Sequence, residues 1–275
     1  MKILLDIGGS NIRVSSSIDD QALGEVKIMS TPKNFDKGMQ DIEEEFKKIA
    51  GDHQPTSLSV GIAGRWDEAN KNFTNHTNLT SWSGKPLYKT LQEVAGQDTP
   101  IKIDNDAALA ALAEARIGSG KDHKIVGYLT IGTGVGGAKI INGVKEANVM
   151  GFEPGAQIID ASGTLIIGTA PPYTLENYIS GHAFEKRHDK KPHEVTDNFI
   201  WDTYAAILAI GLYNLIQFWS PEIIVLGGSM MKTPGISLEN TVKHLQSLGA
   251  NLPQLPVIKL GELGDNVVLQ GGLFI

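Results

Sequence analysis

Apolar, β-branched runs that end in glycine recur along the chain. KILLDI (2–7) stops at Gly8-Gly9, VGYLTI (126–131) at GTGVGG (132–137), and EIIVL (222–226) at Gly227-Gly228. A run this short, bounded by a turn signal, predicts a buried strand with a glycine turn at its end. NVVLQ (266–270), before Gly271-Gly272, carries the same signature, although a helix is also predicted to begin near Val267. Glycine placed at strand ends implies backbone that must come close to something.

Between these runs the spacing changes from two to three and four. Phe35, Met39, Ile42, Phe46 and Ile49 fall on one face of a helix predicted over Asn34–Ala50, with acids in its first turns. Residues 12–18 and 23–30 read as strands, 58–63 as a buried strand, and 65–82 as a polar loop with a short hairpin. A helix over 86–95 and a short strand at 101–103 follow. From Ala107 the alanine-built AALAALAEARIG predicts a helix whose small side chains suit a crossing between two domains. The opening theme then returns as strands at 125–131 and 137–144 around a glycine turn. Helices near 174–187, 200–219 and 237–248 and strands at 222–226 and 256–260 complete the chain. The two halves share a βββαβα-like pattern, an internal duplication of pattern and not of letters.

Composition narrows what such a chain can be. Its 275 residues favour two domains, and 41% hydrophobic with 20% charged residues is a globular mixture. The formal charge is −7 and no basic tract occurs, so nucleic acid is a poor partner. There is no cysteine, which excludes disulfides, thiolate zinc sites and cysteine nucleophiles. MKILLDIGGS is no signal peptide, and the most apolar stretch, Tyr204–Trp219, contains Asn214 and Gln217. That stretch reads as a buried helix, so no membrane partner and a soluble, cytoplasmic location are expected.

The glycine turns carry the first candidate chemistry. In Asp6-Ile-Gly-Gly-Ser-Asn-Ile-Arg two glycines after a strand free N–H groups to make an anion-binding concavity, and Asp6 could hold a hydrated Mg²⁺. An ordinary hairpin is the plain alternative, and the second turn, Gly132-Thr133-Gly134-Val-Gly-Gly, shifts the balance away from it. A dinucleotide fingerprint is disfavoured there because AKIING, which follows, has strand and not helix character. Asp104-Asn105-Asp106 ends a strand before a helix, where capping and catalysis compete for a carboxylate. A division of labour assigns structure to Asp104 and chemistry to Asp106, placed to position a hydroxyl and take its proton during phosphoryl transfer.

These motifs, in this order, resemble the ROK sugar kinases of the actin/hexokinase/Hsp70 superfamily. DIGGSNIR resembles the first phosphate motif, LTIGTGVGGAKIINGV the second, and PEIIVLGGSMM the adenosine motif. TNLTSWSGKPL resembles the sugar segment, IDNDAALAALAEA the catalytic helix, and LENYISG and LGDNVVLQGG also have counterparts. The resemblance implies a two-domain actin-like ATPase fold of duplicated ribonuclease H-like halves with a cleft between domains. It implies domains of about 1–107 plus 262–275, and 108–261. Asp106 is then the catalytic base, and Gly64, Asn78, Asn105, Glu153 and Glu176 contact the sugar. Asp6, Gly8, Gly9, Ser10, Asn11, Arg13, Gly132, Thr133, Gly134, Gly227 and Gly228 bind the nucleotide. Asp6 reaches Mg²⁺ through water. ATP and Mg²⁺ are the implied cofactors, a hexose the small-molecule partner, and family habit favours a homodimer.

Two departures bear on substrate. The family's histidine after Gly-Glu-x-Gly is Ala156, and Phe152 replaces the preceding glycine. The loop that binds zinc in some members reads DASGTLIIGTAPP (160–172), without cysteine or histidine, so no zinc is expected. Packing by Leu165, Ile166, Ile167 and Pro171-Pro172 is expected in its place. Ser10 stands for the commoner threonine. The expected activity is a glucokinase-like phosphorylation of a hexose by ATP. An inactive sugar- or nucleotide-binding module, a sugar-sensing regulator and a filament-forming actin relative are the rivals. The regulator lacks an N-terminal helix-turn-helix here, and the sugar segment and short length oppose the filament.

Overall fold

The computed structural model describes residues 1–74, 79–149, 151–249 and 254–275. Chain order begins β1 (Lys2–Ile7), β2 (Asn11–Ser17), β3 (Lys27–Ser30), α1 (Phe35–Ala50), β4 (Ser57–Ile62), β5 (Arg65–Asp67), β6 (Asn72–Thr74), α2 (Leu87–Ala95), β7 (Ile101–Asn105) and α3 (Asp106–Arg116). It continues β8 (Ile125–Ile131), β9 (Val135–Ile141), β10 (Val144–Lys145), α4 (Leu175–Ile179), α5 (Gly181–His188), α6 (Asn198–Trp219), β11 (Ile223–Gly227), α7 (Leu238–Leu248), β12 (Val257–Leu260) and α8 (Val267–Gly272).

The chain forms two compact units, Met1–Ala113 with Leu263–Ile275, and Glu114–Glu262. The first crossing falls inside α3, later than residue 107. Each unit has a five-stranded sheet, ordered β3-β2-β1-β4-β7 in the first and β10-β9-β8-β11-β12 in the second. Strand senses repeat as well. In the first, β1 pairs antiparallel with β2 and β2 with β3, while β1, β4 and β7 run parallel. In the second, β8 and β9, then β9 and β10, are antiparallel, while β8, β11 and β12 are parallel. The repeated pattern in the sequence is thus a repeated topology.

In unit 1, α1 forms where its apolar spacing and caps agree. Asn34 accepts the Lys37 N–H at its start, and Gly51, at φ 55°, closes it after Lys47 and Lys48. Its buried face, Phe35, Met39, Ile42 and Phe46, joins the strand residues Ile3, Leu5, Val60 and Ile103 in one core. NVVLQG is helix and not strand: α8 packs Leu269 and Leu273 against Leu4. Gly271 is required there because a Cβ would lie 2.0 Å from the Leu109 carbonyl oxygen. The alanines of α3 leave that carbonyl open to approach.

In unit 2, α6 is long and apolar enough to cross a membrane by length and composition. It is instead the core helix, burying Tyr204, Leu208 and Leu212 among Leu129, Ile224 and Leu226 of the sheet. The single helix expected over 174–187 is two, α4 and α5, divided at Ser180, whose hydroxyl accepts the Ala183 N–H. The break frees the first N–H groups of α5 to bond the Gly132 and Thr133 carbonyls.

Candidate active site

In unit 1 the parallel strands bring the candidate residues to one sheet end. Register places Asp6 beside Gly61, and Gly61 beside Asp104. Just past this row come the Gly8–Ser10 turn, Gly64, and Asn105-Asp106, at the carboxyl ends where open α/β sheets bind ligands. Asn105 is the cap of α3: its Oδ1 accepts the Ala108 N–H at 3.1 Å, and its Nδ2 donates to the Gly64 carbonyl at 3.0 Å. The cap of α3 is thus an amide and not a carboxylate, because an amide can accept from the helix and donate to Gly64 at once. Asp104 accepts its neighbour's N–H, from Asn105 at 2.8 Å. Asp106, half-buried at the first position of α3, accepts the Ala107 N–H at 2.8 Å. Gly64 sits at φ 138°, where side chains are disfavoured.

Asp6 is 5% exposed and accepts from Arg13 Nη1 at 3.1 Å across the β1–β2 ladder. Burial raises its pKa from 3.8 to about 6, and the Arg13 guanidinium offsets part of that rise. The Arg13 Nε is buried with no hydrogen-bond partner among the described residues. In the turn itself, the Gly8 N–H donates to the Asn11 carbonyl at 3.0 Å, while Ser10 and Asn11 are exposed. Thr31, marked by no sequence pattern, donates its hydroxyl to the Gly8 carbonyl at 2.7 Å.

Unit 2 gathers its candidates around the second turn. The Gly132 N–H donates to the Gly134 carbonyl at 2.9 Å. The N–H groups freed at the start of α5 bind this turn from behind: Gly181 donates to the Gly132 carbonyl at 2.7 Å and His182 to that of Thr133 at 3.2 Å. Glu176 Oε2 accepts the Val135 N–H at 2.7 Å, and a Cβ at Gly134 would fall 2.7 Å from that same oxygen. Glu176 thus braces the turn with one carboxylate oxygen. Gly228, at φ 93°, lies against the backbone of Ile131, where a Cβ would sit 2.2 Å from its carbonyl oxygen. Gly227 makes room for the Tyr128 hydroxyl, 2.4 Å from a Cβ there. Glu153 is exposed at the head of the turn Pro154–Ala156, whose Gly155 also packs on Val135.

Asn78 lies outside the described residues. In the segment that follows it, Trp82 is a core residue, set edge-on to Phe35 at 5.2 Å, with its Nε1 donating to the Pro32 carbonyl at 2.9 Å. The 160–172 loop is not held by the packing expected. Ile167 is 91% and Leu165 37% exposed, and only Ile166 of the three packs on the core. The organiser is Asp160, whose carboxylate accepts the N–H groups of Ser162, Thr164 and Leu165 and the hydroxyl of Tyr178. These bonds hold its pKa far below the usual carboxylate range, and burial with the Asp160 contact pushes Tyr178 up to about 12. Arg187 completes the anchor, donating to the carbonyls of Asn177 and Tyr178 and to the Thr169 and Tyr204 hydroxyls. Among the described residues no group of three His, Cys, Asp or Glu side chains could hold a metal ion.

A duplicated mixed sheet with a glycine turn after the first strand of each copy defines an actin-like ATPase fold. The chain belongs to the ROK family, whose model matches residues 2–275. It is 28% identical to the N-acetyl-D-glucosamine kinase of Yersinia pseudotuberculosis, over 98% of this chain and 97% of that protein. The ROK hexokinase of Thermus thermophilus superposes with a TM-score of 0.82 at 22% identity, covering 98% of this chain and 96% of that one. A ROK glucokinase from Streptomyces griseus, solved with glucose and AMPPNP, gives 0.82 at 22% identity, covering 99% and 98%.

Proposed function

We propose that this ROK protein is an ATP-dependent hexose kinase of glucokinase type. The observation that carries the reading is the sheet end of unit 1, where Asp106 follows the Asn105–Gly64 pair at the same carboxyl end of the sheet as the Gly8–Ser10 turn. Asp106 orients the sugar 6-hydroxyl and takes its proton as the oxygen attacks the γ-phosphate, while Asn105, Gly64, Asn78, Glu153 and Glu176 hold the other hydroxyls. The glycine turns hold the nucleotide's phosphates, and Gly227-Gly228 its adenosine side. Bound Mg²⁺ would neutralise charge on the transferring phosphates. Asp6 fits an outer, water-mediated role: Arg13 takes its Oδ2, and its Oδ1 has no protein partner among the described residues.

The test is an ADP-release assay with ATP, Mg²⁺ and a panel of hexoses and N-acetylhexosamines. At least one sugar should support turnover. Asp106→Asn should then lower kcat by about 10²–10⁴-fold with little change in sugar KM, the usual contribution of a positioned base. Near-wild-type turnover in that variant removes Asp106 from the chemistry, and no turnover with any sugar removes the kinase reading itself.

A further inference from the structure

A trans peptide unit points its C=O and the next residue's N–H in opposite directions, so a partner that holds one aims the other. Both glycine turns use this device. In unit 2 the Gly132 and Thr133 carbonyls are taken by the N–H groups of Gly181 and His182. The N–H groups of Thr133 and Gly134, on the far side of those same peptides, have no partner among the described residues. In unit 1 the Gly8 carbonyl is taken by the Thr31 hydroxyl at 2.7 Å, and the Gly9 N–H across that peptide is likewise without a partner among the described residues.

Thr31 is itself held in place. Its N–H donates to the Ser10 carbonyl at 2.9 Å, one step past the β2–β3 ladder that pairs Asn11 with Ser30. Pro32 follows it and favours the extended conformation this step needs. The Pro32 carbonyl accepts from Trp82 Nε1, and Trp82 is wholly buried. A line of contacts therefore runs from the core, through Pro32 and Thr31, to the peptide that carries the Gly9 N–H.

We propose that Thr31 is a positioning residue for nucleotide binding: its hydroxyl pins the Gly8 carbonyl and so aims the Gly9 N–H at a phosphate oxygen. The residue touches no substrate. Its effect is to remove the peptide flip that would otherwise turn a carbonyl oxygen toward the anion. The inference rests on the kinase reading for the identity of the anion.

Thr31→Val keeps the shape, the backbone N–H and the β-branch, and removes only the hydroxyl. Losing a hydrogen bond that organises a charged contact should raise KM for ATP, and weaken AMPPNP binding by calorimetry, by roughly tenfold. KM for the sugar and kcat should stay within about twofold, and Thr31→Ser should restore both nucleotide values. A variant with lowered melting temperature but unchanged nucleotide affinity would give Thr31 a purely structural role and overturn the assignment. Sugar KM rising together with ATP KM would overturn it too. If the wild type turns over no sugar yet binds AMPPNP, the kinase reading fails while the calorimetric comparison still decides on Thr31. Wild-type protein that binds no AMPPNP overturns both.

Discussion

Asp6 is a carboxylate held where its charge is costly. Burial lifts its pKa to about 6, against an ordinary 3.8, although Arg13 sits at hydrogen-bond distance. Between those values the folded chain binds more protons than the unfolded one. The contribution of Asp6 to stability is therefore complete below pH 3.8 and is lost as pH rises through 6. A shift of about two units corresponds to roughly 3 kcal/mol across that window. Asp6→Asn cannot titrate. In EDTA, the urea stability of the wild type relative to this variant should drop by about that amount between pH 4 and pH 7. A difference that stays constant over the range would mean that Asp6 is not buried in solution as it is here. The importance of Asp6 could be read from its position before two glycines, because the strand pattern and the turn are local. Its raised proton affinity could not, because that comes from burial in the assembled sheet, which Arg13 of β2 opposes only in part.

At the scale of elements, strands and amphipathic helices were legible wherever a period and its stop signals lie within one window. That is true of β1, α1, β8 and α7. Reading failed where a distant contact decides. The 174–187 segment breaks at Ser180 because the Gly132 and Thr133 carbonyls use the α5 N–H groups. NVVLQG carries both a strand signature and the start of a helix near Val267, and the helix prevails because two leucines and a glycine doublet meet α3 and β1. Thr31 and Arg187 carry no local signature for the same reason, each acting across elements and not along its own. Asp160 and Arg187 give this lesson a test. They hold the 160–169 loop to α4, the helix that carries Glu176. Arg187→Met removes donors from two backbone carbonyls and two hydroxyls. Groups left unsatisfied cost about 1–3 kcal/mol each, so the variant should lose at least about 2 kcal/mol. Amides of Ser162, Thr164 and Leu165, which rest on Asp160, should exchange faster in Asp160→Asn than in wild type, and sugar KM should rise in both variants. Unchanged exchange at those amides would show that the loop has a different anchor.

At the scale of the whole molecule, unit 1 is assembled from both ends of the chain. Its first strand and its last helix meet through Leu4, Leu269 and Leu273, and Lys2 Nζ donates to the Leu273 and Ile275 carbonyls at 3.0 and 3.1 Å. Val268 occupies the space over Gly61, and Gly271 the space over Leu109. The segment from Leu263 onward therefore completes a core that residues 1–113 begin, whereas unit 2 is continuous. Removing a single buried leucine side chain typically costs ~2–5 kcal/mol, and a whole domain is stable by only ~5–15 kcal/mol. A chain ending at Glu262 loses both leucines and the helix that seats them, which is enough to unfold unit 1. Hydrogen exchange on that shortened chain should find β1 and β4 unprotected while β8 and β11 keep their slow amides, because their core of Leu129, Leu208, Leu212 and Ile224 is drawn wholly from unit 2. Nucleotide binding should fail in the same sample, since the Gly8–Ser10 turn hangs on β1. Full protection of β1 and β4 after the truncation would make α8 an accessory to unit 1 and not one of its parts.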